Sequence, residues 1–348
     1  MKILLNGNMG YIGPVVARHL RTVLPQAHLT GFDSGFFAGC LIDPRFFPEA
    51  ALDEQKFGDI RRPPADLYTS VDAVVQLAAI SNDPMGSKFE RVTGEINMAA
   101  VVRAAQEARA AGARHFVFAS SCSVYGAAGS EARTEDSPVN PLTAYARSKI
   151  ASEAALAPLA APDFIVTCLR FATACGFSPR LRLDLVLNDF VASALATGRI
   201  TILSDGTPWR PLIHVHDMAR AIEWAATRGP DQGGAFLTVN AGSNLWNYQV
   251  RELAEAVRAE LGQVEVSVNP HALPDKRSYR VDFGRFAALA PGHRPQETLP
   301  AAVRGLADGL RAAGFKDADF RQSNYIRLKV LSDLRAQNLL SEDLTWIH

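Results

Sequence analysis

The sequence has few cysteines, no excess of charge of either sign and no long apolar run. Four cysteines occur in 348 residues, and none is spaced as in a Cys-x-x-Cys pair or a zinc site. We therefore expect reduced thiols, a cytoplasmic location and no metal site. Lys and Arg together number 36, as do Asp and Glu, which argues against a protein that coats nucleic acid. No apolar run reaches the roughly 18–20 residues that a membrane span requires, so no membrane partner is expected.

The chain also lacks internal repeats, low-complexity stretches and any linker rich in Pro, Gly or Ser. Its start enters a strand-like run that breaks at Asn6-Gly7, so we expect no signal peptide. Apolar residues make up 48% and charged residues 21%, a composition typical of a globular protein with ample core. The length predicts one large domain or two closely associated domains.

Short apolar runs alternate with helical stretches in the first half of the chain, which is typical of a parallel α/β sheet with helices on both faces. The predicted strands there are 2–6, 28–32, 56–58, 73–77, 115–120 and 164–171, and the predicted helices are 14–23, 95–111 and 144–159. Beyond Gly176 the pattern loosens. It predicts strands at 200–203, 236–240 and 264–268 and helices at 190–196, 252–261 and 325–340.

A glycine-rich loop follows the first strand directly and precedes a helix: Gly7-Asn8-Met9-Gly10-Tyr11-Ile12-Gly13. Glycines at this spacing permit a tight turn and let backbone approach a pyrophosphate, which the N–H groups at the helix N-terminus then bind. Asp33 ends the second strand, where a carboxylate accepts from both ribose hydroxyls and repels a 2′-phosphate. The pattern predicts NAD rather than NADP.

Two shorter signals extend this cofactor site. Asp59-Ile60 follows the third strand, where the carboxylate can meet the adenine amino group; an ordinary loop carboxylate is the alternative. Leu77-Ala78-Ala79 ends the fourth strand with small residues that leave room for the cofactor, although close packing explains those alanines equally well.

Tyr145 and Lys149 stand four residues apart in a predicted helix, so they share one face. A lysine ammonium beside a phenol favours the phenolate and lowers the pKa of the tyrosine toward that of a general base. The strand before this helix ends in a serine-rich run that includes Ser121, whose hydroxyl can orient a substrate alcohol. The three residues predict a catalytic site that oxidises a hydroxyl.

In these motifs, and in Arg210-Pro211-Leu212-Ile213-His214-Val215, the sequence resembles the extended short-chain dehydrogenase/reductase family, in its nucleotide-sugar epimerase/dehydratase branch, over about residues 1–290. The resemblance implies NAD as cofactor, a nucleotide-sugar substrate and a doubly wound Rossmann domain at 1–175, to which 212–245 return. It places a smaller, interwoven substrate-binding domain at 176–211 and 246–348. It also implies a homodimer, formed here through helices 95–111 and 144–159.

The resemblance further implies a role for single residues. Tyr145 would deprotonate a sugar hydroxyl, Lys149 would bind the nicotinamide ribose, and Ser121 would hydrogen-bond the reacting oxygen. Asn97 matches an asparagine near the family's active site, with a plain polar residue of the helix N-terminus as the alternative. The implied substrate contacts are Ser81, Asn82, Ser123, Asn188, Arg210 and Arg280.

One departure concerns the nucleotide phosphates. Ala272 stands where the family commonly has an arginine that contacts them. Arg277 or Arg280 takes over this contact, or either is only a surface cation.

The absence of a carboxylate after Ser121 bears on the reaction. Similar 4,6-dehydratases carry a glutamate there, often after an aspartate, to move protons at C5 and C6, whereas this chain has Cys122 and Ser123. We therefore expect a 4-epimerase, in which hydride leaves C4 for NAD and returns to the other face. The alternatives are a nucleotide-sugar oxidoreductase or ketoreductase, a 4,6-dehydratase, and a non-enzymatic NAD-binding redox sensor.

Two further features are assigned structural roles. Cys122 is predicted to be a buried thiol. His214 and His216 alternate as metal ligands often do, but no third ligand is near them in sequence, so packing is expected.

Overall fold

A computed structural model describes residues 1–43, 45, 47–269 and 277–347 of the chain. The strands are β1 (Lys2–Asn6), β2 (His28–Asp33), β3 (Glu54–Phe57), β4 (Ala73–Gln76), β5 (His115–Ser121), β6 (Ala127–Arg133), β7 (Ile165–Phe171), β8 (Thr173–Cys175), β9 (Arg199–Ile202), β10 (Trp209–His214), β11 (Phe236–Ala241), β12 (Asn247–Gln249), β13 (Glu265–Val268) and β14 (Ser278–Val281). The α-helices are α1 (Gly13–Val23), α2 (Asp83–Lys88), α3 (Glu90–Gly94), α4 (Ala100–Ala110), α5 (Ala144–Leu156), α6 (Val186–Thr197), α7 (Val215–Thr227), α8 (Val250–Leu261), α9 (Gly284–Leu289), α10 (Leu299–Ala312) and α11 (Arg327–Ala336).

Seven strands form one parallel sheet in the order β3-β2-β1-β4-β5-β7-β11. The chain first builds outward from β1 to β3 and then restarts at β4 on the other side of β1. At such a switch point the connections leave the sheet in opposite directions, which opens a crevice beyond the carboxyl ends of the strands. The predicted fold class, a doubly wound Rossmann sheet, is confirmed.

Alternate residues of a central strand such as β1 pack into two different hydrophobic cores, one on each face of the sheet. Ile3 and Leu5 of β1 join a core that includes α1 and α7, whereas Leu4 joins a second core on the opposite face with α4. Helices cover both faces of the sheet, so neither face of a central strand is exposed to water. The sequences of these strands are therefore continuous apolar runs.

The smaller strands were mostly missed. β6, β8, β10, β12 and β14 were not predicted, and they form short ladders with partners that are distant in sequence. β8 has only three residues, and β10 contains Pro211, which is unfavourable within a strand, so neither carries a clear periodic signal of its own. The predicted helix 95–111 begins earlier, at Glu90, and includes a π-helical segment at Glu95–Ala99 before α4.

The last helix, α11, and the tail after it pack into the core on the face of the main sheet that α4 covers. α11 is shorter than the predicted helix 325–340, and it contacts α2. Leu331, Leu340 and Leu344 belong to the core that α4 covers. Within the described residues, no helix has the length and apolar character needed to cross a membrane.

Candidate functional site

A cavity of about 880 Å³ lies at the carboxyl edge of the main sheet. Its walls include the glycine loop, the ends of β2, β4 and β5, the start of α5 and part of the 182–190 segment. The cavity therefore occupies the crevice at the switch point between β1 and β4.

The glycine loop is packed too closely for larger residues. Gly7 has φ +81°, and its N–H donates to the carbonyl of Phe32 at 2.8 Å. A Cβ atom on Gly7 would lie 2.4 Å from the backbone nitrogen of Ala78, and one on Gly13 would lie 2.0 Å from the carbonyl oxygen of Asn8. Gly7 and Gly13 are thus positions in the loop that only glycine can occupy.

The N-terminus of α1 faces this loop. The residues of the loop that line the cavity are Gly7, Gly10, Tyr11, Ile12 and Gly13. The N–H groups in the first turn of a helix lack partners within the helix and attract an anion, so this end of the cavity fits a dinucleotide diphosphate. Asn8 and Met9 lie behind the loop instead, where the Asn8 amide donates to Gln55 at 2.6 Å.

Asp33 lies on the cavity wall at the end of β2. Its carboxylate accepts hydrogen bonds from the backbone N–H groups of Met9 at 2.9 Å and Gly35 at 2.8 Å. Burial raises the pKa of Asp33, and the two N–H groups oppose that rise. These bonds hold the carboxylate beside the glycine loop, where the predicted ribose contact requires it.

Asp59 is held by a neighbouring arginine. The guanidinium of Arg61 donates to both carboxylate oxygens of Asp59, at 2.6 and 3.0 Å, and to Glu95 at 3.2 Å. Asp59 lines the cavity, as do Ile60 and the predicted small residues Leu77, Ala78 and Ala79. The adenine end of the predicted site therefore contains an ion pair that sequence reasoning missed.

Tyr145 and Lys149 lie on one face of α5, opposite the end of β5. Thr143 caps the helix by accepting from the N–H of Ala146 at 3.1 Å, which sets where the helix begins. Lys149 donates to the carbonyl of Ala119 at 2.6 Å, and its ammonium lies 5.4 Å from the centre of the Tyr145 ring. Tyr145, Lys149 and Ser121 all line the cavity.

Burial dominates the electrostatics of this pair. It raises the pKa of Tyr145 to about 12, against the hydrogen bond with Ser121 that lowers it. Burial also lowers the pKa of Lys149 to about 8, while Glu153 opposes that fall. In the protein alone the Tyr145 phenol thus has a raised pKa, not the lowered one expected from the sequence, because desolvation outweighs the nearby charges.

A buried ion pair supports Lys149 from behind. Glu153, one turn further along α5, accepts from the guanidinium of Arg170 at 2.7 Å and from the hydroxyl of Ser120 at 2.5 Å. Arg170 also donates to the hydroxyl of Tyr125 at 3.0 Å. The spacing of Glu153 from Lys149 was visible in the sequence, but its partner on β7 was not.

Cys122 and Ser123 differ in their surroundings. The thiol of Cys122 is buried and donates to the carbonyl of Arg170 at 3.1 Å, and burial raises its pKa. This matches the predicted structural thiol. The hydroxyl of Ser123 is buried, lines the cavity and has no hydrogen-bond partner among the described residues. The substrate contact that the sequence predicts for Ser123 is compatible with this placement.

Ser81 and Asn82 enter the cavity together with a pair that the sequence did not reveal. Arg182 donates to Asp184 through two nitrogens, at 2.9 and 3.0 Å, and to the hydroxyl of Ser81 at 3.1 Å. The amide of Asn82 donates to Asp184 at 2.8 Å. All four residues line the cavity, so its wall beyond Tyr145 is polar and tightly hydrogen-bonded.

Two predicted asparagines lie behind the cavity wall. Asn97 is buried and makes two hydrogen bonds with the backbone of Ile80, at 2.8 and 2.9 Å. Asn188 accepts from the N–H of Gly176 at 3.1 Å and donates to the hydroxyl of Tyr11 at 3.1 Å. Neither lines the cavity, so in this structure both position backbone and side chains around it.

Of the three candidate phosphate-binding arginines, two line the cavity and one does not. Arg210 and Arg277 line the cavity, whereas Arg280 does not; its guanidinium lies 5.0 Å from the Trp209 ring. Alternation along β14 explains this, because Arg280 lies between the inward-facing Tyr279 and Val281. Ala272 lies outside the described residues.

In the structure, the carboxylate of Glu297 lies beside His214 and His216. Glu297 lies 3.0 Å from the ring nitrogen Nδ1 of His216, and one potential ligand atom from each of the three residues falls within 4.8 Å of the others. His214 Nδ1 already accepts from the N–H of His216 and so caps α7, and burial lowers the pKa of His214 to about 4. The packing role that was predicted for His214 fits these contacts, although Glu297 was missed.

Residues 3–242 match the family described as the NAD dependent epimerase/dehydratase family. A dTDP-glucose 4,6-dehydratase of Streptomyces griseus is 29% identical over 321 residues, which cover 89% of this chain and 92% of that protein. A UDP-glucose 4-epimerase of Mycolicibacterium smegmatis is 33% identical over 213 residues, or 60% of this chain and 66% of that protein.

A solved structure shares the fold. A UDP-glucose-4-epimerase from Stenotrophomonas maltophila, with bound NAD and formylated UDP-arabinopyranose, superposes with a TM-score of 0.77 at 24% identity. The match covers 90% of this chain and 99% of that one.

Proposed function

The chain belongs to the NAD-dependent epimerase/dehydratase family, and within that family we propose that it is a nucleotide-sugar 4-epimerase. The family membership makes NAD the cofactor, as the sequence predicted. The observation that carries the proposal is the cavity itself, which runs from the glycine loop to Ser121, Tyr145 and Lys149, and in which Asp83 and Asp184 are both paired.

The residues at this end divide the chemistry among them. NAD, when bound, supplies a hydride acceptor and a positively charged ring. Tyr145 takes the proton of the sugar hydroxyl, Ser121 holds the same oxygen by a hydrogen bond, and Lys149 keeps a positive charge close to the phenol. Because the pKa of Tyr145 is about 12 in the protein alone, we expect the phenol to become a base only when added positive charge favours its ionised form.

Loss of the proton and the hydride together leaves a 4-keto sugar. Return of the hydride to the opposite face of C4 inverts the carbon, so the cycle needs no proton transfer at C5. Tyr145 gives its proton back to the same oxygen, and no further acid or base is required.

A 4,6-dehydratase is the second candidate, because the dehydratase relative aligns over more of this chain than the epimerase relative does. Such a reaction needs a base and an acid at C5 and C6. The cavity carboxylates are already bound: Asp83 accepts from Thr143 at 2.7 Å and Arg277 at 2.9 Å, and Asp184 is paired with Arg182. This favours the epimerase.

The test uses deuterium. We would incubate the protein in D2O with UDP-, dTDP-, GDP- and CDP-sugars and follow sugar configuration by NMR. A 4-epimerase returns the same hydride to C4, so the product should carry no carbon-bound deuterium. Deuterium at C5 or a 4-keto-6-deoxy product would overturn the proposal in favour of dehydration, and net reduction of added NAD would indicate an oxidoreductase.

Three further proposals complete this assignment. We propose a homodimer that pairs α4 and α5 of two subunits, and a division into a cofactor domain (1–175 with 212–245) and a substrate domain (176–211 and 246–348). The four cysteines are all free and buried, which supports a cytoplasmic location.

A further inference from the structure

The C-terminal segment, residues 327–347, borders the proposed cofactor half of the cavity. Arg327 and Leu328, at the start of α11, line the cavity beside the loop that follows β2. The family match ends at residue 242, so this segment lies outside the part of the chain that the family defines.

Arg327 is a buried cation on the cavity wall. Its guanidinium donates to the carbonyls of Arg180 at 2.8 Å and Asn324 at 3.1 Å and stacks 4.9 Å from the ring of Phe37. Its exposed fraction is 1%, and burial lowers its pKa to about 10, so it remains charged at neutral pH.

Two arginines near Arg327 have carboxylate partners. Arg180 pairs with Glu49 at 2.6 Å and Arg182 pairs with Asp184 at 2.9 Å. Within the described residues, Arg327 forms no ion pair. Asp184, already paired with Arg182, favours the charged form of Arg327, whereas the charges of Arg180 and Arg182 oppose it. Burying three positive charges close together is costly, so a bound anion would stabilise this position. The diphosphate of a dinucleotide in the same cavity is such an anion.

The end of the chain ties together the two loops expected around adenosine. Arg61, which holds Asp59 after β3, donates to the carbonyls of Asp343 at 2.7 Å and Leu344 at 3.2 Å. Trp346 donates to the carbonyl of Ser34 after β2 at 2.6 Å, and its ring lies 5.7 Å from that of Phe36.

The tail is also anchored in the core. Leu340 and Leu344 are buried in the same core as Ile60, so the tail cannot move without uncovering apolar surface. The contacts of this segment therefore link the Asp33 side and the Asp59 side of the cleft.

We propose that residues 327–347 form a clamp over the adenosine half of the cleft, in which Arg327 binds the cofactor diphosphate and the tail slows the release of NAD. The proposed epimerase cycle regenerates its own NAD, so one bound NAD can serve many turnovers. The clamp gives a structural reason for the enzyme to retain it. The inference rests on NAD binding and not on the sugar reaction, so its failure and that of the proposed epimerisation are separable.

Binding of three probes to the Arg327→Met variant tests the charge contact. A hydrogen bond to a charged group contributes about 1.5–3 kcal/mol, so NAD and ADP-ribose should bind about 10-fold or more weakly. Adenosine, which has no phosphate, should bind as it does to the wild type, and Arg327→Lys should restore part of the loss. Arg335→Met is the matched control, since Arg335 lies on the same helix but does not line the cavity.

Release of NAD tests the tail. Protein loaded with NAD would be mixed with excess ADP-ribose, which prevents NAD from rebinding, and the amount of released NAD would be measured over time. Trp346→Ala should release NAD several-fold faster than the wild type, with thermal unfolding measured alongside to confirm that the variant is folded. Unchanged release from a folded Trp346→Ala variant, or equal weakening of adenosine and NAD in Arg327→Met, would overturn the proposal.

Discussion

At the proposed catalytic end of the cleft, Ser121, Tyr145 and Lys149 lie on one strand end and one helix that pack directly against each other. At the proposed adenosine end, the contacts join residues that are 282 and 312 positions apart, in the Arg61–Asp343 and Trp346–Ser34 hydrogen bonds. The first end is built on regular elements that the core holds. The second end is closed by loops and a tail.

The difference lies in how each end is stabilised. Behind Lys149, the Glu153–Arg170 pair is buried, with side-chain exposures of 7% and 9%. On the tail side, Arg91 pairs with Glu95 and Asp343 while 63% exposed. Exposed ion pairs contribute little, so we expect the adenosine end to open locally well before the catalytic end does. Such an arrangement keeps the reacting groups fixed while the cofactor enters.

The largest expected effect is on the chemistry. Tyr145→Phe should lower the turnover rate by about 10²–10⁴-fold, because it removes the general base while preserving the ring. NAD affinity and release should stay at wild-type values if the two ends act separately. Steady-state kinetics and NAD titration check this, with Tyr248→Phe, a substitution of a tyrosine outside the cavity lining, as the control. A variant that also lost NAD would show that the ends are coupled.

A second effect concerns the cost of burying Lys149. Its pKa is about 8 in the folded protein, below the ordinary 10.5, so between these pH values the unfolded chain holds a proton that the folded protein has lost. Stability should therefore rise with pH through this window, by on the order of 3 kcal/mol.

Denaturant unfolding at pH 7.5 and pH 10, without NAD, measures this rise in the wild type and in Lys149→Met. The variant should lack the contribution, while all other titrations affect both proteins alike. An identical pH dependence in the two proteins would contradict the depressed pKa of Lys149.

The smallest effect should come from the exposed pairs of the tail. Arg91→Ala should reduce the free energy of unfolding by less than about 1 kcal/mol, because a solvated ion pair gains little over its hydrated partners. Urea unfolding measures this loss, and raising the salt concentration should shrink it further. A loss above about 2 kcal/mol would mean that the two ends of the cleft are equally rigid, which would remove the contrast between them.

Sequence reasoning succeeded where one element carried the whole signal. The glycine loop follows β1 and opens α1, Asp33 ends β2, and Tyr145 and Lys149 are one helical turn apart, so spacing alone located them. It failed where the surroundings of a side chain are formed by segments that are distant in sequence. The spacing of Tyr145 from Lys149 predicted a lowered pKa for the phenol, but the degree of burial, which depends on the surrounding fold, reverses the direction.

The sequence by itself determined the sheet, the position of the glycine loop and the placement of the proposed reacting groups, because these depend on short-range periodicity and on residue types at fixed offsets. Only the tertiary structure decided that Arg182 pairs with Asp184 inside the cavity, that Arg280 does not line it and that Arg327 lines it as a buried cation. Each of these outcomes depends on which distant segment packs beside the residue. That choice is made by the fold of the whole core and has no signature in the local spacing of the chain.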